Sequence, residues 1–127
     1  MCFILTNPYG IINYMKKSHC IYVTELNKGI LKNRAFREIN PNYDDSKPCV
    51  YVGMTSKTPE QRFIEHISGA RSKKGFPLFS RKVRKYGIRL KPRLFKSHNP
   101  MTKKAAKEFE IEKARRLRNR GYGVWQN

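Results

Sequence analysis

Between residues 51 and 66 the chain reads YVGMTSKTPEQRFIEH, which gathers Tyr51, Arg62 and His66 into one short strand–turn–helix unit. Arg62 and His66 stand four apart, so a helix presents them on one face, beside a Phe63 and Ile67 stripe. An ionised phenol can take a proton from water, a guanidinium forks onto a phosphate, and an imidazole orients or relays a proton. Tyr22 or Tyr51 can supply the phenol. Phosphodiester hydrolysis asks for one thing more, a carboxylate able to hold a metal ion. Each residue alone is ordinary, and a single histidine at a helix end is more often structural than catalytic.

The carboxylate comes from a helix expected over 101 to 118. At about 100° per residue, Ala106, Phe109, Ala114 and Leu117 define an apolar arc, and Glu110 falls inside it. Glu108 and Glu112 fall outside most of that arc, while Lys113 also intrudes on it. A carboxylate aimed at the core is costly unless something positive meets it. Arg62 is the structural candidate for that partner, and a divalent metal is the functional one.

The elements that must position these groups are short. CIYVTEL (20 to 26) and CVYVGMT (49 to 55) read as buried strands, the second closed by glycine. Thr58, Pro59 and Gln61 form a capping box with proline at the first helical position, and Phe63, Ile67 and Ala70 are its expected buried face. A helix is expected over 30 to 39 and another over 77 to 86, the latter burying Phe79, Val83 and Tyr86. IRLKPRLF (88 to 95) alternates apolar and basic residues, and Pro92 makes it an edge strand. Residues 1 to 17 read as an N-terminal arm with an Asn-Pro-Tyr-Gly turn, 40 to 48 as a loop, and GYGVWQN as a tail.

Lys and Arg number 28 against 9 Asp and Glu, a formal charge of +19. Folding gains nothing from such an excess, so a polyanionic partner is implied, nucleic acid being the commonest. From Arg71 through Lys104 there are 13 basic residues and no acid. Arg71, Lys73, Lys74, Arg81, Lys82, Arg84, Lys85, Arg89, Lys91 and Arg93 are the expected phosphate contacts. Phe76, Phe79, Tyr86 and Phe95 are interleaved, but their periodicity assigns most of them to core, so base stacking is not expected. The charge does not distinguish DNA from RNA. A membrane surface usually needs an amphipathic basic helix or a lipid signal, and neither is visible.

With 127 residues the chain has room for one domain and one core. Cys2, Cys20 and Cys49 are odd in number, contain no C-x-x-C pair and match no zinc module. MCFIL is too short for a signal sequence, and no run reaches membrane-span length. An intracellular protein is expected, cytoplasmic or nucleoid-associated.

CIYVTEL, then YVG, Arg62 and His66, then a helix carrying AAKEFE, together resemble the GIY-YIG endonuclease superfamily. That superfamily includes excision-repair nuclease subunits, intron homing endonucleases, some restriction enzymes and small phage nucleases. The resemblance covers residues 20 to about 120, and YVGMT to RFIEH is its most specific part. It implies an α+β domain over 18 to 127, a small antiparallel sheet flanked by helices, with Tyr22 and Tyr51 projecting into a shallow groove. By the same resemblance Arg62 binds the scissile phosphate, His66 supports the base tyrosine, and Glu110 holds one Mg²⁺ or Mn²⁺.

Three departures stand out. Residues 27 to 47 are a longer insertion than the usual hairpin between the tyrosine motifs. Cys20 replaces the first motif's glycine. An asparagine that many members place after the metal-binding helix has no clean counterpart, with Asn119 and Asn127 the candidates. The expected activity is metal-dependent cleavage of DNA, by a monomer or a transient dimer on DNA. The alternative is a non-catalytic basic nucleic-acid-binding protein on the same fold.

Overall fold

The computed structural model describes residues 2–6 and 12–126. The N-terminal arm holds its own antiparallel pair, β1 (Cys2–Thr6) with β2 (Ile12–Lys16). The turn expected at 7 to 10 lies outside the described residues.

The main sheet is built on the two strands read from the sequence, β3 (Cys20–Leu26) and β4 (Cys49–Thr55). Both are apolar on both faces because both faces are covered: Ile21 to Thr24 and Cys49 to Gly53 are all buried. They pair antiparallel, with Tyr22 opposite Gly53 and Thr24 opposite Tyr51. A residue and its second neighbour share a face, so Tyr22, Thr24, Tyr51 and Gly53 line one side. β5 (Gly87–Leu90) adds antiparallel to β3 as an edge strand, and a 3-10 turn at Pro92–Leu94 ends it.

The fourth strand comes from the tail. β6 (Gly123–Gln126) runs parallel to β4, giving the order β5-β3-β4-β6 and making the sheet mixed, not wholly antiparallel. Four residues at the end of a chain carry little pattern of their own, and the support comes from the 27–47 insertion. That segment forms a 3-10 turn, Lys28–Lys32, and the helix α1 (Arg34–Ile39), divided by Asn33, whose side chain accepts from Phe36 N–H. Phe36 is fully buried beside Gly123. Asn40 then pairs with β6 as a strand would: Val124 N–H donates to Oδ1 at 2.8 Å, and Nδ2 donates to Val124 O at 3.1 Å.

Both halves of the capping box at Thr58 and Gln61 are made, and α2 (Pro59–Ser68) ends at Gly69, φ +68°. Its buried face is not the Phe63, Ile67 and Ala70 stripe. Pro59 and His66 are its buried residues, Phe63 is half-buried, and Ile67 is 41% exposed. The next helix is shorter than expected. Residues 70 to 78 fold as a hairpin, and Ser80 caps α3 (Arg81–Tyr86). α4 (Lys103–Asn119), capped by Thr102, buries Ala106, Glu110, Ala114 and Leu117, the arc predicted from its periodicity. α2 and α3 pack on β3 and β5, α4 packs on β3, β4 and β6, and no helix among the described residues is long and apolar enough to cross a membrane.

Candidate active site

Tyr22 and Tyr51 meet because of a glycine. A Cβ at Gly53 would lie 2.5 Å from Tyr22 Oη and 2.9 Å from Tyr51 Cε1, so the bare backbone of Gly53 is the floor on which both rings lie. Their centroids are 6.0 Å apart. The glycine in YVG is thus a packing requirement of the tyrosines. His66 closes the cluster from α2, its ring 5.9 Å from that of Tyr22 and 5.9 Å from that of Tyr51.

The hydrogen bonds fix the state of His66. Ser80 N–H donates to Nδ1 at 2.7 Å, and a backbone amide can only donate, so Nδ1 carries no proton. Burial, with Arg62 adding to it, pushes the imidazole pKa down to about 4, so the ring is neutral near pH 7. Its one proton is therefore on Nε2, which donates to Tyr22 Oη at 2.8 Å. His66 cannot accept the Tyr22 proton in this state. What it can do is stabilise a Tyr22 phenolate.

Against that stands burial. Tyr22 is 1% exposed and Tyr51 2%. Burial raises the Tyr22 pKa well above the usual phenol range, Tyr51 adds to the rise, and Arg62 opposes it. The Tyr51 pKa is also raised, mainly by burial; Ser80 and Tyr22 lower it by hydrogen bonding, Glu110 raises it, and Arg62 lowers it. Tyr51 thus feels both the α2 cation and the α4 carboxylate.

Arg62 does not neutralise Glu110. It donates to Leu78 O and pairs with Glu65 at 3.3 Å, and Lys57 also pairs with Glu65. Lys57 first, and Arg62 after it, hold the Glu65 carboxyl below its usual range. Glu65 is thus the acid the sequence reading missed, although its i,i+3 spacing from Arg62 was available as a signal. Beside this pair opens a pocket of about 260 Å³, lined by Met54, Thr55, Ser56, Lys57, Arg62, Glu65 and Leu78. Lys57 and Arg62 bring two cations to its wall, and Glu65, paired with both, brings one carboxylate. A larger pocket, about 620 Å³, lies between the 39–44 loop and the end of α4. Its polar groups already serve the fold: Asn40 and Arg118 hold β6, and Asp44 accepts from Ser46. Of the candidate catalytic residues, only Arg62 lines the smaller pocket.

Glu110 is 6% exposed and, among the described residues, makes no ion pair or hydrogen bond. Burial alone raises its pKa to about 7. Glu112, by contrast, faces out and pairs with Arg115 and Arg116, and Glu108 is exposed. No group of three or more His, Cys, Asp or Glu gathers among the described residues. A single buried, unpaired carboxylate still suits a hard divalent cation. Mg²⁺ commonly takes one or two carboxylates and fills its remaining positions with water and phosphate oxygens. Glu110 would be the protein's ligand.

Two further residues went unforeseen. Ser80 sets the His66 tautomer through its backbone, which no side-chain pattern reveals. Asn99 takes Ile21 N–H on Oδ1 at 2.9 Å and donates to Ile21 O at 2.7 Å, steadying β3 next to Tyr22. Asn119 sits exposed at the end of α4, and Asn127 lies outside the described residues.

Of the expected phosphate contacts, Arg71, Lys73, Lys74, Arg81, Arg84, Lys85, Arg89 and Arg93 are exposed, and Lys82 and Lys91 half-buried. Glu25 compensates Lys91 at 3.6 Å and Arg89 at 3.8 Å, an acid brought across from β3. Lys82 lies over the Trp125 ring, Lys85 over Tyr86, and Arg71 and Arg84 over Phe79. Lys73, Lys74, Arg81 and Arg93 have no ion pair or hydrogen bond among the described residues. Comparison of the chain with protein-family models, with curated proteins and with solved structures found no match.

Proposed function

We propose that this chain is a metal-dependent DNA endonuclease of the GIY-YIG type. The observation that carries the reading is the Ser80–His66–Tyr22 chain of hydrogen bonds over Gly53, with an unpaired Glu110 carboxylate on the neighbouring helix. A structural core also pairs a buried imidazole with a phenol; the unpaired Glu110 carboxylate acting on Tyr51 is the part that packing alone does not call for.

In the proposed reaction water attacks phosphorus in line, and the bond to the leaving sugar oxygen breaks. Tyr22, having first released its own proton to solvent, acts as the phenolate and takes the proton from the attacking water, with His66 Nε2–H stabilising the phenolate oxygen and Arg62 adding positive charge. Tyr51 positions water or phosphate. Arg62 and Lys57 hold the substrate phosphate. A divalent cation at Glu110, when bound, would neutralise charge on the phosphate and the leaving oxygen. Burial keeps the Tyr22 phenol protonated at neutral pH, and a bound phosphate would add negative charge, so the reading requires a divalent cation to supply the positive charge that favours the phenolate.

Near-complete burial of both phenols favours the second reading, a basic nucleic-acid-binding protein whose tyrosines only pack. Incubation with plasmid and with single-stranded DNA, in Mg²⁺, Mn²⁺ or EDTA, decides between them. Cleavage in metal and none in EDTA is expected, abolished by Glu110→Ala. Binding without cleavage under every metal overturns the nuclease.

A further inference from the structure

The 70–78 hairpin shows something the active site does not use. Phe76 is 65% exposed, more than any other exposed large apolar side chain among the described residues. It is held there. Ser72 N–H donates to Phe76 O at 2.9 Å, and Phe76 N–H to Ser72 Oγ at 3.1 Å. Gly75 N–H donates to Ser72 O, the Arg71 guanidinium donates to Gly75 O at 2.9 Å, and Gly75 takes φ +85°, a conformation suited to glycine. Leu78 N–H to Ala70 O at 2.8 Å closes the base of the hairpin. These bonds fix the backbone from which the ring projects into solvent, and the fold gains little burial from it.

The charge around the ring narrows what it meets. Lys73 and Lys74, in the same turn, are exposed and unpaired among the described residues. The flat apolar surface and cations fit a partner with flat apolar rings and regularly spaced negative charges, which is a nucleic acid. The hairpin is also tied to the site at its C-terminal end, by Arg62 to Leu78 O and by Ser80 N–H to His66.

We infer that residues 71–77 form a nucleic-acid-contacting finger in which Phe76 packs on a nucleobase while Lys73 and Lys74 hold the flanking phosphates. This rests on the nuclease reading for its substrate. The finger then sets where a strand lies relative to Arg62 and Tyr22.

The test uses the full chain in EDTA, with short DNA duplexes carrying 2-aminopurine at successive positions. Packing of Phe76 against a base disturbs stacking and changes the fluorescence at one or two positions. Phe76→Ser, which leaves the melting temperature unchanged, should remove that change and weaken binding by about tenfold with the same salt slope. Lys73→Ala with Lys74→Ala should keep the fluorescence change at saturation and lower the salt slope by about two. The finger is overturned if Phe76→Ser matches wild type in both affinity and fluorescence. It is equally overturned if the variant loses affinity only for phosphatidylserine vesicles, which would make the hairpin a membrane contact. A wild-type chain that binds no DNA refutes finger and nuclease together. A fluorescence change that needs Phe76, in a protein that never cleaves, refutes the nuclease and leaves the finger standing.

Discussion

Glu110→Gln tests the site without any assumption about substrate. The wild-type carboxyl is pushed from its usual 4.5 up to about 7 by burial. Between those values the unfolded chain releases a proton that the folded chain keeps. Glu110 therefore contributes stability below pH 4.5 that is lost as pH rises through 7. At about 1.4 kcal/mol per pH unit the loss is up to about 3 kcal/mol. His66 runs the other way, from its usual 6.5 down to about 4. The unfolded imidazole takes a proton that the folded one refuses, so its contribution is full above pH 6.5 and lost as pH falls toward 4, again by up to about 3 kcal/mol.

Over pH 4.5 to 6.5 the two slopes oppose, and wild-type stability should be nearly flat. Glu110→Gln removes one of them. Urea unfolding between pH 4 and 8 should then show stability rising steadily to about pH 6.5, with the variant more stable than wild type at pH 8. A gain of about 3 kcal/mol there corresponds to a melting temperature higher by on the order of 10 °C. His66→Gln should unmask the opposite slope, stability falling from pH 4.5 to 7. Millimolar Mn²⁺ at pH 8 should stabilise wild type and not Glu110→Gln, because the cation binds only the folded carboxylate. A Glu110→Gln profile that overlays wild type means the carboxyl is not held protonated by burial, and the reasoning fails.

Arg62→Lys should lose most cleavage, because an ammonium does not reproduce the planar fork on a phosphate; a variant that melts early yet cuts normally would assign Arg62 to Glu65 and Leu78 alone. Gly53→Ala should cost on the order of 1–3 kcal/mol in urea unfolding and lower cleavage further, since its Cβ displaces Tyr22; an unaffected variant would disprove the glycine floor. Tyr22→Phe should lose cleavage by orders of magnitude and Tyr51→Phe by less, and the reverse ranking exchanges their roles. Thr24→Val should be neutral or stabilising by about 1 kcal/mol, because Thr24 Oγ1 is a buried side-chain oxygen without a partner among the described residues; lost cleavage with intact stability would place that hydroxyl, opposite Tyr51, in the site.

The sequence carried the parts of the fold whose signals are local. Continuous apolar, β-branched runs gave β3 and β4, the Thr58–Gln61 box gave the start of α2, and helical phase picked Glu110 from three neighbouring acids. β6 was invisible because its pairing depends on Asn40, 84 residues away by hydrogen bond to Val124. The buried face of α2 was misassigned for a related reason. Periodicity counts Phe63 and Ile67 as core by hydrophobicity, whereas His66 takes the interior position because Ser80 and Tyr22 satisfy both its ring nitrogens. Polar satisfaction by a backbone amide leaves no trace in residue types.

The same limit explains Arg62 and Glu110. Phase shows that a carboxylate points inward, but not which cation meets it, since the choice depends on where α2 and α4 land on the sheet. Arg62 has Glu65 one turn away on its own helix, a pairing that requires no tertiary placement. Glu110 is then left with burial as the whole cause of its raised pKa. An unpaired carboxyl buried in an apolar arc costs stability that Gln, Met or Leu at the same position would not. In the proposed reading a divalent cation offsets that cost at neutral pH and above, and stabilisation of wild type but not Glu110→Gln by Mn²⁺ is the measurement that checks it.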